Sequence, residues 1–344
     1  MYLGRVHLAP LCRVTPAPRC GPQCGLDEKP TKKSSNVIFL KRYSNNTYPY
    51  GVFLRASSCG CADVRIICDH LRGCAAPLSY LFVSHNPQPD VVPFDINAMR
   101  ASLPMYDRPE LAAAHDRLWQ EIRERLDTGP EQLSHPSDLW GDWEAPDLML
   151  SQTCGYPYRA RLHGHVTLVA TPDYRLPACP PGHYASVFVA RADDPRDTPA
   201  AFAQSRFAYN ERLSQSGWAA PATYAADLGF SFDDTFSTGS HAASAHAVAE
   251  GRADLCALDA QTWRLMQAHD PVAEKLRVIG RTTPTPALPY ITASGTDPER
   301  LRSALAQAVD ALSKEDRDTL GLYGIVILPP EAYLQVPTPP PPPA

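Results

Sequence analysis

The chain has 344 residues, enough to bury a sizeable core in two domain-sized units or one bilobal one, and its net charge of −5 carries no nucleic-acid signature. That average conceals a break, because residues 1–94 hold 11 Lys and Arg against 5 Asp and Glu, whereas 95–344 hold 21 against 32. No run is long and apolar enough to span a bilayer, and seven of the ten cysteines precede residue 75, so the longer, acidic part is not a disulfide scaffold.

Residues 1–94 carry scattered prolines, short apolar runs such as "NVIFL" and "SYLFV", and no sustained period of 2 or 3.6, which predicts a segment that is not a folded domain. The close pairs Cys20/Cys24 and Cys59/Cys61 lack the two-residue gap of a zinc knuckle, so no metal and no cofactor are expected. "MYLGRVHLAPLCRVTPAPRC" has no uninterrupted apolar stretch and does not read as a signal peptide; the chain as written predicts a cytoplasmic location. Ordered patterning begins in "MRASLPMYD", which makes Met99 the expected functional start and 1–94 an extension, disordered or translated from upstream of that start.

From Met99 strand-like and helix-like pieces alternate. "RASLPM" is a short strand, and "PELAAAHDRLWQEIRERL" a helix with Leu111, His115, Leu118, Ile122 and Leu126 on one face. "DLMLS", "HVTLVAT" and "YASVFVA" follow as strands, apolar enough to be covered on both faces. Then come the strand "RFAYN", the helix "SGWAAPATYAADLG" stopped by Gly229, and "HAASAHAVAEG" stopped by Gly251. "ADLCALD", "AQTWRLMQAH" and "LRVIGRT" read as strand, helix and strand; "LPYITAS" precedes the helix "DPERLRSALAQAVDALS", striped by Leu301, Leu305, Ala308 and Leu312. This alternation predicts an α/β protein with mostly parallel sheets, divided into two lobes with the ligand cleft between them. The tail "VPTPPPPPA", within 335–344, cannot enter a helix or a sheet and is expected to be extended and solvated.

Three stretches place small polar groups before helices: "SQTCGYP", "NERLSQSGW" and "STGSHAAS". Helix N-termini and hydroxyls there, Ser214, Ser216 and Ser240 among them, make a neutral anion cradle, although a lone Ser before a helix is more often only a cap. His241, beside Gly239 and Ser240, is placed to donate to an oxyanion. Asp259 ends an apolar strand and is either the cap of the next helix or a partner for a ligand ammonium; residue physics favours the cap.

"DLMLSQTCGYPY", "LSQSGW", "TGSHAASAHAVAEGRADLCALDAQTW" and "RTTPTPALPYITAS", in that order and spacing, resemble the phosphate- and phosphonate-type substrate-binding proteins of ABC transporters, the PhnD-like group of the type II periplasmic-binding-protein fold. The resemblance runs from about Met99 to Leu328 and implies a two-lobed clamp with a two-crossing hinge, lobe 1 from about 99–181 and 284–334, lobe 2 from about 182–283. It implies a small oxyanion held by Ser214, Ser216 and Gly217, joined by Gly239, Ser240 and His241, with Thr153, Tyr156 and Tyr106 from the first lobe, and Asp259 meeting a ligand amine in some members. It further implies a monomer that is not an enzyme, binds no nucleic acid, works in the periplasm and, if exported, meets a transporter permease. One departure is Gln215, which stands between two serines where the family tends to carry a fuller Ser-Thr-Ser run. An enzyme on the same fold, with a Cys154 thiol activated by His241 as in pyrimidine-precursor synthesis, and a cytosolic oxyanion sensor are the competing readings.

Overall fold

The computed structural model describes residues 52–56, 62–66 and 99–343, and the chain divides into two compact units, Met1–Pro89 and Asp90–Ala344. In the first, β1 (Val52–Ala56) and β2 (Ala62–Ile66) form an antiparallel ribbon with Val52 opposite Ile66. The early cysteine pairs and the rest of the expectations for 1–94 lie outside the described residues.

The second unit begins with β3 (Arg100–Ala101), α1 (Pro109–Leu126), α2 (Leu139–Trp143), β4 (Leu148–Gln152), α3 (Gly155–Pro157, continued as a π turn over Tyr158–Leu162) and β5 (Val166–Asp173). After β6 (His183–Tyr184) come β7 (Ser186–Arg191), β8 (Phe207–Tyr209), a π turn over Gln215–Ala219 running into α4 (Ala220–Asp227), β9 (Thr235–Ser237), α5 (His241–Ala249), β10 (Leu255–Asp259), α6 (Ala260–His269) and β11 (Leu276–Arg281). The chain returns through β12 (Thr285–Pro286) to β13 (Tyr290–Ala293), α7 (Glu299–Ala311), α8 (Lys314–Leu320), β14 (Gly324–Val326) and α9 (Pro330–Leu334).

These elements make two five-stranded sheets, β14-β5-β13-β4-β3 in the first lobe and β11-β7-β10-β8-β9 in the second. Neither is mostly parallel, contrary to the sequence expectation. Only β3/β4 in the first sheet and β10/β8 and β8/β9 in the second run parallel; the other pairs are antiparallel. The reason is topological: β13 comes back from the other lobe and enters between β4 and β5 against their direction, and β7 and β11, which flank the crossings, oppose their neighbours. The crossings themselves are zipped together, since β6 pairs with β12, Tyr184 opposite Thr285.

Burial follows the sequence pattern. α1 turns Leu111, Leu118, Ile122 and Leu126 inward against α7, which answers with Leu301, Leu305 and Ala308, while β4 and β10 are buried along their whole length. Gly229 and Gly251 end α4 and α5 at φ of +78° and +73°, the left-handed region that glycine enters without penalty.

Candidate functional site

A cavity of about 990 Å³ opens between the lobes. Eight of the ten residues expected at the site border it: Tyr106 and Tyr156 from the first lobe, and Ser214, Ser216, Gly239, Ser240, His241 and Asp259 from the second. Thr153 and Gly217 do not.

On the second lobe the two serines have different tasks. Ser214 is the N-cap of the π turn, its Oγ accepting from Gly217 N–H at 2.9 Å, so the Gly217 N–H expected to face the ligand is already spent. Gly217 matters sterically instead: a Cβ there would lie 1.8 Å from Asn210 Oδ1, so only glycine lets the Asn210 amide lie against the turn. Ser216 is bonded through Oγ to His241 Nε2 at 2.9 Å. Ser240 caps α5, accepting from Ala243 N–H at 3.0 Å, which leaves the N–H groups of His241 and Ala242 at the helix start without a capping acceptor. Gly239, at φ +86°, makes the turn that aims this helix start, and its N–H goes to Asn210 O at 3.0 Å.

Burial pushes the His241 imidazole down to about 4, so the ring is neutral at pH 7, and its Nδ1 is buried with no partner. A neutral ring and Ser216 together offer the cavity one donor. With Nε2 protonated the Ser216 O–H is free to donate outward, and with Nδ1 protonated the ring N–H is. A protonated ring offers both, which an anion in the cavity would favour.

Tyr106 and Asp259 close the cavity from opposite lobes. Tyr106 O–H donates to Asp259 Oδ2 at 2.6 Å, and Asp259 also accepts from Gln261 N–H at 2.7 Å and Thr262 Oγ1 at 3.2 Å. Asp259 is therefore the cap of α6, only 2% exposed, and burial raises its carboxyl above the ordinary range. The ammonium role that the resemblance implied meets a carboxylate whose two oxygens are already occupied. Tyr156 lies under the Arg159 guanidinium, 4.3 Å from ring centre to Cζ. Thr153, with a buried and unpartnered Oγ1, stands behind this wall.

Gln215, the departure from the serine-rich pattern, points away from the cavity: its Oε1 accepts from Arg159 Nη1 at 2.6 Å and its N–H approaches Cys154 Sγ at 3.4 Å, tying the two lobes together. A second tie at the rim joins Arg108 to Asp270 by two bonds of 2.6 and 3.0 Å. The Cys154 thiol is pushed up by burial rather than lowered, and the ring nitrogens of His241 bond to Ser216 or to nothing, so the thiol–imidazole pair an enzyme would need is not formed.

Several residues in or behind the cavity wall carried no sequence signal. Tyr184, from the hinge strand β6, does not border the cavity but stands behind it, beside Cys154, Ser216 and Asp259, with its hydroxyl buried. Asn210 shares the wall, and Met105, Trp140 and Leu288 make an apolar side that no periodicity announced. Arg212, on the same rim, is exposed and makes no ion pair among the described residues. The cavity thus has no buried free cation among the described residues, and an anion in it would be held by neutral donors and helix starts.

The profile of the family described as ABC transporter, phosphonate, periplasmic substrate-binding protein matches residues 146–327, more than half of the chain. Among solved structures, PhnD1 from Prochlorococcus marinus, determined with methylphosphonate, is 17% identical with a TM-score of 0.57, over 70% of this chain and 95% of that one. A binding protein component of an ABC phosphonate transporter from Pseudomonas aeruginosa is 16% identical with a TM-score of 0.53, over 66% and 80% of the two chains. A protein from Xanthomonas citri bound to ATP is 16% identical with a TM-score of 0.50, over 69% and 94%. At these identities the likeness is one of fold. No curated protein matches the chain.

Proposed function

The chain belongs to the phosphonate periplasmic substrate-binding proteins of ABC transporters, and on that premise we propose that its cleft binds a small oxyanion of the phosphate, phosphite or phosphonate class for delivery to a transporter permease. The observation that carries the reading is the Ser216–His241 pair: a hydroxyl and a neutral imidazole bonded at 2.9 Å on the cavity wall, with the second ring nitrogen buried and unsatisfied. A buried polar atom without a partner costs free energy in the empty protein, and an oxyanion supplies the acceptor it lacks. The open N–H groups of His241 and Ala242 at the start of α5 add donors of the same neutral kind. Such a site selects a ligand by the number and geometry of its oxygens, because the field comes from oriented dipoles and not from a side-chain cation.

The ring of Met105, Trp140 and Leu288 beside these donors gives the carbon substituent of a phosphonate an apolar wall. The family acts in the periplasm, and no helix among the described residues is long and apolar enough to cross a membrane. The test is calorimetric titration of the full chain with methylphosphonate, phosphate, phosphite, sulfate and methanesulfonate in a phosphate-free buffer. Saturable binding of at least one phosphorus oxyanion is expected; heats no larger than those of dilution for all five would refute the reading.

A further inference from the structure

The chain runs on past α9, beyond the residues matched by the family, and its proline run stays on the protein. It starts from a firm anchor on the first lobe, where the buried Tyr333 donates to Ala287 O at 2.9 Å. Arg159 Nη2 then donates to Pro337 O at 2.9 Å, Trp218 Nε1 to Pro340 O at 2.8 Å, and Thr235 Oγ1 to Pro343 O at 3.1 Å. Pro341 borders the ligand cavity and Pro342 is buried. Pro337, Thr338, Pro340, Pro341 and Pro343 remain exposed, as the solvated tail expected from composition would be, while their segment is held at the three carbonyls.

The three accepting carbonyls are three residues apart. A polyproline helix repeats every three residues and has no internal hydrogen bonds, so every third carbonyl lies on one face as an unpaired acceptor. That face is the one the protein binds. Indole N–H and hydroxyl donors reading a preformed proline helix are the means by which recognition domains take proline-rich peptides, and here the peptide is supplied by the same chain. Arg159 belongs to the first lobe, Trp218 and Thr235 to the second, so the run is a third backbone segment bridging the lobes beside β6 and β12, and like the side-chain ties it can be undone without unfolding either sheet.

We propose that Pro337–Pro343 is a releasable strap: docked, it holds the lobes closed and walls the cavity, and ligand exchange requires its release. Its second half rests on the cleft being the ligand site, whereas docking itself does not. Hydrogen exchange of the ligand-free full chain is therefore compared with that of a chain ending at Val336. Truncation is expected to speed exchange in the segments around Trp218 and Thr235 and leave α1 and α7 unchanged. Dissociation of methylphosphonate, followed by stopped-flow, should accelerate roughly ten- to thirty-fold in Trp218→Phe combined with Thr235→Val, as the loss of two neutral hydrogen bonds requires, and at least as much in the truncated chain, which also loses both Arg159 bonds to Pro337 and Thr338. Identical exchange in the full and truncated chains would overturn the docked strap. Altered exchange with unchanged dissociation would overturn the gate. Absence of methylphosphonate binding in every variant, with exchange still altered, would count against the oxyanion reading and leave the docking intact.

Discussion

Ser214 and Ser216 are indistinguishable in sequence and divided in the structure, which makes the pair of single alanine variants the sharpest test of the site. Ser214→Ala removes the acceptor for Gly217 N–H at 2.9 Å, a capping loss of about 1 kcal/mol. In a domain of this size that lowers the melting temperature by about 2–4 °C. The cavity keeps its Ser216–His241 pair, so affinity should change by less than about threefold, or roughly 0.6 kcal/mol.

Ser216→Ala does the opposite. It takes a hydroxyl from the cavity wall and leaves His241 Nε2 without its partner at 2.9 Å. A hydrogen bond to a charged ligand is worth about 1.5–3 kcal/mol, so affinity for methylphosphonate should fall by about 10- to 100-fold. Scanning calorimetry of the ligand-free proteins gives the stability arm, and isothermal titration in a phosphate-free buffer gives the affinity arm. If Ser214→Ala loses as much affinity as Ser216→Ala, with no drop in melting temperature, the two serines do not divide cap and ligand contact between them.

Asp259→Asn should keep the α6 cap, since Asn caps as well as Asp, and should lose affinity only if a ligand ammonium reaches it; titration with an aminoalkylphosphonate and an alkylphosphonate of equal length decides. Because burial raises the Asp259 pKa, the native state binds this proton more tightly than the unfolded chain does, so stability rises as pH falls through the raised value and levels off below about 3.9; melting curves should show this slope above pH 4 and Asp259→Asn should flatten it. Tyr106→Phe deletes the bond of 2.6 Å between the lobes, and small-angle scattering of the ligand-free protein should show a larger radius of gyration. His241 is neutral with a pKa of about 4 in the empty protein, and an anion stabilises its charged form, so binding near pH 6 should take up protons, measured from titration heats in two buffers of different ionisation enthalpy.

The order of the longer strands and helices was legible because these carry their own punctuation, whereas short elements such as β9, α8 and β14 went unread. Gly229 and Gly251 stop helices at positive φ, Asp259 caps α6, and apolar runs such as the "VFVA" of β7 have no other place than a covered strand. Sheet direction was not legible, because it depends on which strand returns across the hinge, and a crossing strand of two residues such as β6 has no period to read. Tyr184 was lost for the same reason. The serines were found as a pair but not separated, since the offset of three residues that makes Ser214 a cap for Gly217 and the partner that turns Ser216 to His241 belong to different length scales, one local and one reaching to α5. The exposed proline run was expected, but not its partners, because its composition states only that it lacks donors; the donors that hold it stand 108 residues or more away in the chain, and no local pattern contains them.

Gln215 shows how a departure from a family pattern can be structural in origin. Placed between the two serines, it looks like a hydroxyl missing from the anion cradle, yet its side chain leaves the cavity and accepts from Arg159. The same guanidinium covers the Tyr156 ring and donates through Nε to Thr338 Oγ1 at 2.9 Å and through Nη2 to Pro337 O. The bond to Gln215 is partly buried, whereas those to Thr338 and Pro337 are exposed. A hydroxyl at position 215 would point away from the cavity as the Gln215 side chain does, and would remove the acceptor that joins the second lobe to Arg159. Gln215 thus joins the second lobe to the same guanidinium that holds Pro337 and Thr338, and under the proposed strap Arg159 is where closure of the lobes and docking of the tail meet.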